Sequence, residues 1–285
     1  MPFRAGVSGS TILLRGRSVA TLLVGALAIG CAHAQIAIRT TSQTDTAPKY
    51  IARSNQPSAP VEGLCIDIDR AIERLDNSLH FTGEQSWMPP NQVIGELGKG
   101  HLDMGCGFMK TDERKQFHFI DPPLFTTDLV LVARADDPVV IHNWDDLRAL
   151  GDKSVILVDH DYALVGTLKE HGDLHYDDTT WGLKENLQKL RAGKGRFYLH
   201  RLLGLVDGIK RAGMNSDVRI LPTSLYRQSY YMVFAPQAST DMVQRTQKAV
   251  ATLSKNGDLL KLLQKWSNIF VESQRSDMPS PTQSH

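Results

Sequence analysis

The stretch from Leu97 to Pro123 constrains the fold of this chain more than any other. It runs from an apolar helix end through Gly98-Lys99-Gly100-His101-Leu102-Asp103 and a short buried strand. The charged loop Lys110-Thr111-Asp112-Glu113-Arg114-Lys115 follows, and then a stop at Phe119-Ile120-Asp121-Pro122-Pro123. Strand and helix alternate here, which predicts an α/β sheet rather than a sandwich. The residues before it carry the same alternation. Ile36-Ala37-Ile38 begins a first strand, which leads into a polar loop through Pro48, Tyr50 and Pro57. Gly63-Leu64-Cys65-Ile66-Asp67-Ile68-Asp69 then opens a helix with Ile68, Ala71, Ile72 and Leu75 on one face. Pro89-Pro90-Asn91 marks the start of a second helix carrying Val93, Ile94 and Leu97.

Beyond the stop, Asp128 to Ala133 is a β-rich run with Leu-Val-Leu-Val at its centre, ended by Asp136-Asp137-Pro138. Trp144 to Leu150 followed by Ser154 to Val158 repeats helix then strand. Further helices are expected from about Ala163 and from Trp181 to Arg191, the latter stopped by Gly193. Tyr230 to Phe234 is a second β-rich run. From Thr240 the pattern is helical, interrupted at Asn256-Gly257 and resumed on Leu259, Leu260, Leu263 and Trp266. Glu272 to His285 has no apolar period and is expected to be a disordered tail.

Residues 1–34 read as a secretory signal: Arg4, Arg15 and Arg17, an apolar run from Val19 to Ile29, and Ala32-His33-Ala34 as a small-x-small site with cleavage after Ala34. A rival reading takes Ala28-Ile29-Gly30-Cys31 as a lipoprotein box with Cys31 lipidated. The apolar run is short of the roughly 20 residues a membrane span needs. With 32 Lys and Arg against 31 Asp and Glu, no global field favours nucleic acid. The ten histidines are scattered; His171 and His175 are four apart but separated by Gly172 and Asp173, so no metal site is expected, and no cofactor. Gly-x-Ser-x-Gly and phosphate-cradling glycine loops are absent as well.

The Leu97 to Pro123 order, Gly63-x-x-x-Asp67 and Thr111-Asp112-Glu113-Arg114 together resemble the bacterial extracellular solute-binding proteins of the amino-acid-binding type, family 3. The resemblance implies the type II periplasmic binding fold: two α/β lobes with mixed central sheets flanked by helices and a hinge between them. It implies lobe one over residues 35–130, lobe two over 131–229, and a closing segment of lobe one over 230–271, with the tail at 272–285. The expected setting is the periplasm, the expected state a monomer, and the expected partners a small-molecule ligand and an inner-membrane ABC permease or sensor. Cys65 and Cys106 fall near the cleft ends of neighbouring elements. They either pair as a disulfide or remain thiols, Cys106 as a small hydrophobe in its strand.

By position in the motif, Arg114 inherits the grip on a ligand carboxylate, for which a guanidinium fork is suited. The structural alternative is a surface arginine paired with Glu113 or Asp112. Gly105 and Gly107 mark a strand end where a ligand approaches backbone. The Phe108-Met109-Lys110 turn is one residue shorter than usual in the family, so Phe108 either stacks on ligand or fills core, and Lys110 is a candidate contact. Tyr50 and Trp87 stand where relatives place an aromatic wall, with core packing as the alternative for each.

The second lobe departs from the family pattern. Asp159-His160-Asp161-Tyr162 stands where amino-acid binders carry Gly-Thr, and Arg196-Phe197-Tyr198-Leu199-His200-Arg201 holds no acid where they hold the α-ammonium group. Asp161 and Arg201 thus reverse the usual charges, either as ligand contacts or as a helix cap and a structural pair. The reading that follows is a binding protein for a small polar solute other than a standard α-amino acid. A periplasmic enzyme resembling cyclohexadienyl dehydratase, with Asp161, His160 or His200 as acid or base, and a structural factor with a vestigial cleft are the alternatives.

Overall fold

The computed structural model describes residues 35–53, 59–160 and 164–275, with side chains of the last helix to Ser267. The signal, Cys31, Asp161 and the last ten residues of the expected tail lie outside the described residues. No described helix is long and apolar enough to cross a membrane.

Strands β1 (Ile36–Arg39), β2 (Ser42–Gln43), β3 (Ile51–Ala52) and β4 (Val61–Glu62) lead to helix α1 (Leu64–Leu75). The chain continues through β5 (Leu79–Thr82), β6 (Trp87–Met88), α2 (Pro90–Lys99), β7 (Met104–Phe108) and a 3₁₀ turn at Asp112–Arg114. Helix α1 buries Leu64, Cys65, Ile68, Ala71 and Ile72, but Leu75, read from the spacing as part of the same face, is 48% exposed at the last turn. Helix α2 begins on its prolines, which fill positions needing no amide donor, and ends where Gly100 turns left-handed. All five residues of β7 are buried.

Next comes β8 (His118–Arg134), 17 residues long, followed by α3 (Trp144–Ala149), β9 (Ile156–Asp159), α4 (Leu164–Glu170), β10 (Tyr176–Thr180) and α5 (Leu183–Arg191). Then β11 (Phe197–Arg201), α6 (Leu205–Arg211), β12 (Val218–Ile220), β13 (Tyr226–Phe234), α7 (Thr240–Lys255) and α8 (Asp258–Arg275) complete the chain. Helix α8 thus runs four residues into the stretch read as tail from 272.

One sheet has the order β10-β9-β11-β8-β13-β7, with β12 added on β8. The far half of β8 pairs with β11 and β12, from Leu129 onward, while β13 lies antiparallel along His118 to Leu129 and passes on to β7. The two long strands therefore connect the two lobes, each wrapped in its own helices. The β-rich runs read at Asp128 to Ala133 and Tyr230 to Phe234 are their central portions.

The stop read at Asp121-Pro122-Pro123 is overturned: β8 runs through it. Opposite those residues β13 shifts register, Tyr230 facing Phe125 and Met232 facing Ile120, so the prolines occupy a bulge where no ladder amide is required.

Candidate functional site

Where the lobes meet, the loop after β2 is held from behind by α1. The first amides of that helix, at Leu64 and Cys65, donate to the carbonyls of Pro48 and Lys49 at 2.9 and 3.1 Å, satisfying donors the helix itself cannot. Cys65 and Cys106 are joined by a disulfide, tying α1 to β7. The Gln43 amide donates to the Cys106 carbonyl at 2.8 Å, so loop, helix and strand form one connected wall.

Lys49 is 5% exposed. Its ammonium donates to Gln43 Oε1 and to the Gly107 carbonyl, the latter at 3.1 Å. It stands 5.4 Å from the Phe108 ring centroid, and the Arg114 guanidinium stands 5.5 Å from the same ring. Arg114, on the 3₁₀ turn, donates to the Met109 carbonyl at 3.2 Å.

From the second lobe, Arg201 at the end of β11 is buried and donates to the Ala47 carbonyl at 3.4 Å. Gly204 packs on the same carbonyl. Its φ is +80°, and a Cβ there would lie 2.1 Å from the Ala47 oxygen, so the contact admits only glycine. Beside Arg201, Asp159 accepts from Tyr198 Oη at 3.0 Å and Asn186 Nδ2 at 2.8 Å. Burial pushes its carboxyl up to about 6 against those two bonds. His200 Nε2 lies 4.0 Å from it, and burial, reinforced by Arg201, holds that imidazole down at about 3. At neutral pH the pair is a carboxylate beside a neutral ring.

Three openings surround this junction. One of about 460 Å³ lies between Tyr50 and Trp87 on one side and Glu185, His200, Arg201 and Arg211 on the other. A second of about 250 Å³ is bordered by Asn91, Asp159, His160, Trp181 and Arg201. A third of about 460 Å³ separates the Met109 to Arg114 turn from α4, Asp178, Tyr226 and Gln228. Arg201 borders the first two and Arg114 the third, with Lys49 buried behind.

The residues singled out in the sequence are thus divided. Trp87, 38% exposed, borders the cleft with Tyr50, and Arg201 faces them from lobe two. Tyr50 is itself almost wholly buried and packs in the core with only an edge at the opening. Its hydroxyl has no hydrogen-bond partner among the described residues, and burial, with Asp69 and Glu84 nearby, pushes its pKa well up. Phe108 as a ligand-stacking ring is corrected: it lies in the cluster of Val93, Leu97, Phe117 and Val233, folded back over Gly105. Lys110 lines the third opening with Arg114, its half-exposed ammonium paired with Asp121 at 2.8 Å and 4.3 Å over the Tyr231 ring.

Lys49, Gln43 and Asp159 were not singled out. The only trace of Lys49 in the sequence is a charge between Pro48 and Tyr50 in a loop, where most lysines are solvated. Among the described residues no group of three His, Cys, Asp or Glu side chains is placed to hold a metal ion.

A model of the family described as bacterial extracellular solute-binding proteins, family 3, matches residues 39–269. No curated protein matches the chain. Among solved structures, a histidine kinase sensor domain with similarity to periplasmic binding proteins superposes with a TM-score of 0.66 at 20% identity, covering 81% of this chain and 96% of that one. A mutant of the T. maritima protein ArgBP superposes at 0.63 and 18%, covering 81% and 94%. An ancestral amino acid-binding protein, a precursor of cyclohexadienyl dehydratase, superposes at 0.63 and 16%, covering 81% and 95%. At such identities these likenesses establish the two-lobed fold and not the ligand.

Proposed function

The chain belongs to the bacterial extracellular solute-binding proteins of family 3, and we propose that it closes its two lobes on a small polar solute, other than a standard α-amino acid, in the periplasm. One observation carries this reading: each lobe brings an arginine to an opening at the junction, buried Arg201 to the first two and half-buried Arg114 to the third. Guanidinium groups at such openings suit a ligand with anionic or strongly accepting groups. The exposed Trp87 and Trp181 at the openings add apolar faces.

Delivery to an inner-membrane ABC permease and presentation to a sensor both use such closure. The sensor domain of like fold makes the second as natural as the first. A leader cleaved after Ala34 fits the extracellular family.

The test is thermal unfolding of the mature protein against amino acids, polyamines, organic acids and aromatic precursors. A ligand that binds only the folded state, at 100 times its Kd, adds about 2.7 kcal/mol. A melting shift with one chemical class, lost in Arg114→Ala, is expected; a flat response across the panel favours a vestigial cleft.

A catalytic second reading rests on Asp159, whose carboxyl sits at about 6 beside an opening and 4.0 Å from His200. A general acid is tuned in that way. Turnover of an aromatic-amino-acid precursor, abolished in Asp159→Asn with binding retained, would support it; no turnover by the wild type would end it.

A further inference from the structure

We infer that the solute of this cleft carries an organic ammonium group, held jointly by Asp45 of lobe one and Glu185 of lobe two beside the Trp87 indole. The inference deepens the solute-binding reading and rests on it. Two carboxylates reach one place from opposite lobes: the position that a Cβ on Gly182 would take lies 3.0 Å from Glu185 Oε2 and 3.8 Å from Asp45 Oδ2. Both acids are exposed, and neither makes a hydrogen bond or an ion pair among the described residues. Asp45 borders the first and second openings, Glu185 the first.

The backbone sets both acids in place. The Thr44 amide donates to the Met88 carbonyl at 3.1 Å, extending the pairing of β2 with β6, and Asp45 follows directly, sharing the first opening with Trp87. On lobe two, the His160 amide donates to the Thr180 carbonyl at 2.9 Å, and Trp181 and Gly182 lead from there into α5. Gly182 has a φ of +81°, which suits glycine, and a side chain there would fill the space between the acids. Trp87 is 38% exposed at the first opening, and Trp181 is 51% exposed at the second. Asn91 Oδ1, a buried acceptor at the second opening, has no hydrogen-bond partner among the described residues, so a donor is called for there too.

Like charges facing each other across a hinge oppose closure, and a cation between them turns that repulsion into attraction. The basic side chains at the first opening, Lys184, Arg201 and Arg211, make no ion pair with either acid. Arg211 is paired with Asp207 at 2.7 Å instead. Lys184 precedes Glu185 on α5 and is turned about 100° from it round the helix. An indole attracts an ammonium group over its face. A hard metal ion needs more oxygen ligands than two carboxylates supply, and no set of three His, Cys, Asp or Glu stands ready among the described residues. The arrangement therefore suits an organic cation.

The experiment is calorimetric titration of the mature protein with pairs matched in shape and differing in the cation: choline against dimethylbutanol, putrescine against butanediol, and γ-aminobutyrate against pentanoate. The wild type is expected to bind at least one cation roughly 10-fold or more tighter than its partner. Asp45→Asn and Glu185→Gln, at exposed positions that spare the fold, should each narrow that ratio by weakening the cation alone, and the double variant should abolish it. Trp87→Leu should weaken the cation as well, while Lys184→Met should leave the ratio in place. Equal binding within every pair, or an unchanged ratio in the double variant or in Trp87→Leu, overturns the inference and leaves solute binding standing. Calcium chloride that binds at the two acids more tightly than any organic cation does the same, as does binding only of solutes without a cation. A wild type that binds nothing in these pairs or in the broader panel overturns the solute-binding reading together with the inference.

Discussion

The two walls of the cleft are built on different principles. The lobe-one wall is braced by a disulfide between α1 and β7 and by backbone carbonyls: Pro48 and Lys49 cap α1, Cys106 receives Gln43, and Gly107 receives Lys49. The lobe-two wall is braced by side chains, with Asp159 held by Tyr198 and Asn186, and His200 beside it. Covalent and backbone ties do not titrate near neutrality, whereas a carboxyl at about 6 does. The first wall is therefore a fixed template, and the second responds to pH and to what it touches.

The sharpest way to break that contrast is to reduce the disulfide. Its ends are 41 residues apart in sequence, and a loop of that order stabilises by about 2–4 kcal/mol. Cys65→Ala with Cys106→Ala should lower the stability by that amount in denaturant unfolding and weaken binding through the Lys49 loop. A change below about 0.5 kcal/mol would mean that the backbone ties alone hold the wall.

Between the walls, Gly204→Ala places a Cβ on the Ala47 oxygen in a left-handed conformation, a strain of about 1–3 kcal/mol. Because the contact joins the lobes, the strain is relieved by opening. Small-angle scattering should show a larger radius of gyration and calorimetry roughly 10-fold weaker binding or more. Unaltered scattering and affinity would show that closure does not pass through this contact.

Within the lobe-two wall, the two titrating groups act in opposite senses. The Asp159 pKa rises from 3.8 in the unfolded chain to about 6, so over that window the folded state holds the extra proton and stability falls as pH rises. The His200 pKa drops from 6.5 to about 3, so there the unfolded chain holds the extra proton and stability rises with pH. Each slope is about 1.4 kcal/mol per pH unit at most, and they cancel between roughly pH 4 and 6. Asp159→Asn should unmask the rising limb and His200→Gln the falling one, in unfolding free energies measured from pH 4 to 7. Two flat profiles would remove the pair as the source of pH response.

The smallest effect belongs to the rim. Lys110→Ala removes a half-exposed ion pair with Asp121, worth about 0–1 kcal/mol, and should leave ligand affinity unchanged. A tenfold loss of affinity would make Lys110 a ligand contact.

Much of the architecture was legible in local pattern. The start of α2 is written in its prolines, and the buried face of α1 in the spacing of Ile68, Ala71 and Ile72. The breaks after α5 and α7 are marked by Gly193 and by Asn256-Gly257. The stop at Asp121-Pro122 was misread because proline is a breaker only where a ladder amide is needed, and the register shift of β13 removes that need. Phe108 looked as fit for a ligand as for the core until the left-handed Gly107 and the bare Gly105 turned its ring inward. Lys110 and Lys49 are equivalent as letters, yet one ends on an exposed carboxylate and the other under the cleft floor.

By itself, then, the sequence determined the alternation of strand and helix, the family, and the position of Arg114, since these depend on spacing within a few turns of chain. The tertiary structure decided which charges share one low-dielectric place. Lys49, Arg114 and Arg201 are brought together by the pairing of β8 with β11 and β13 and by the capping of α1. Charge interactions scale with separation and burial, and neither quantity exists until residues far apart in sequence have been packed against one another.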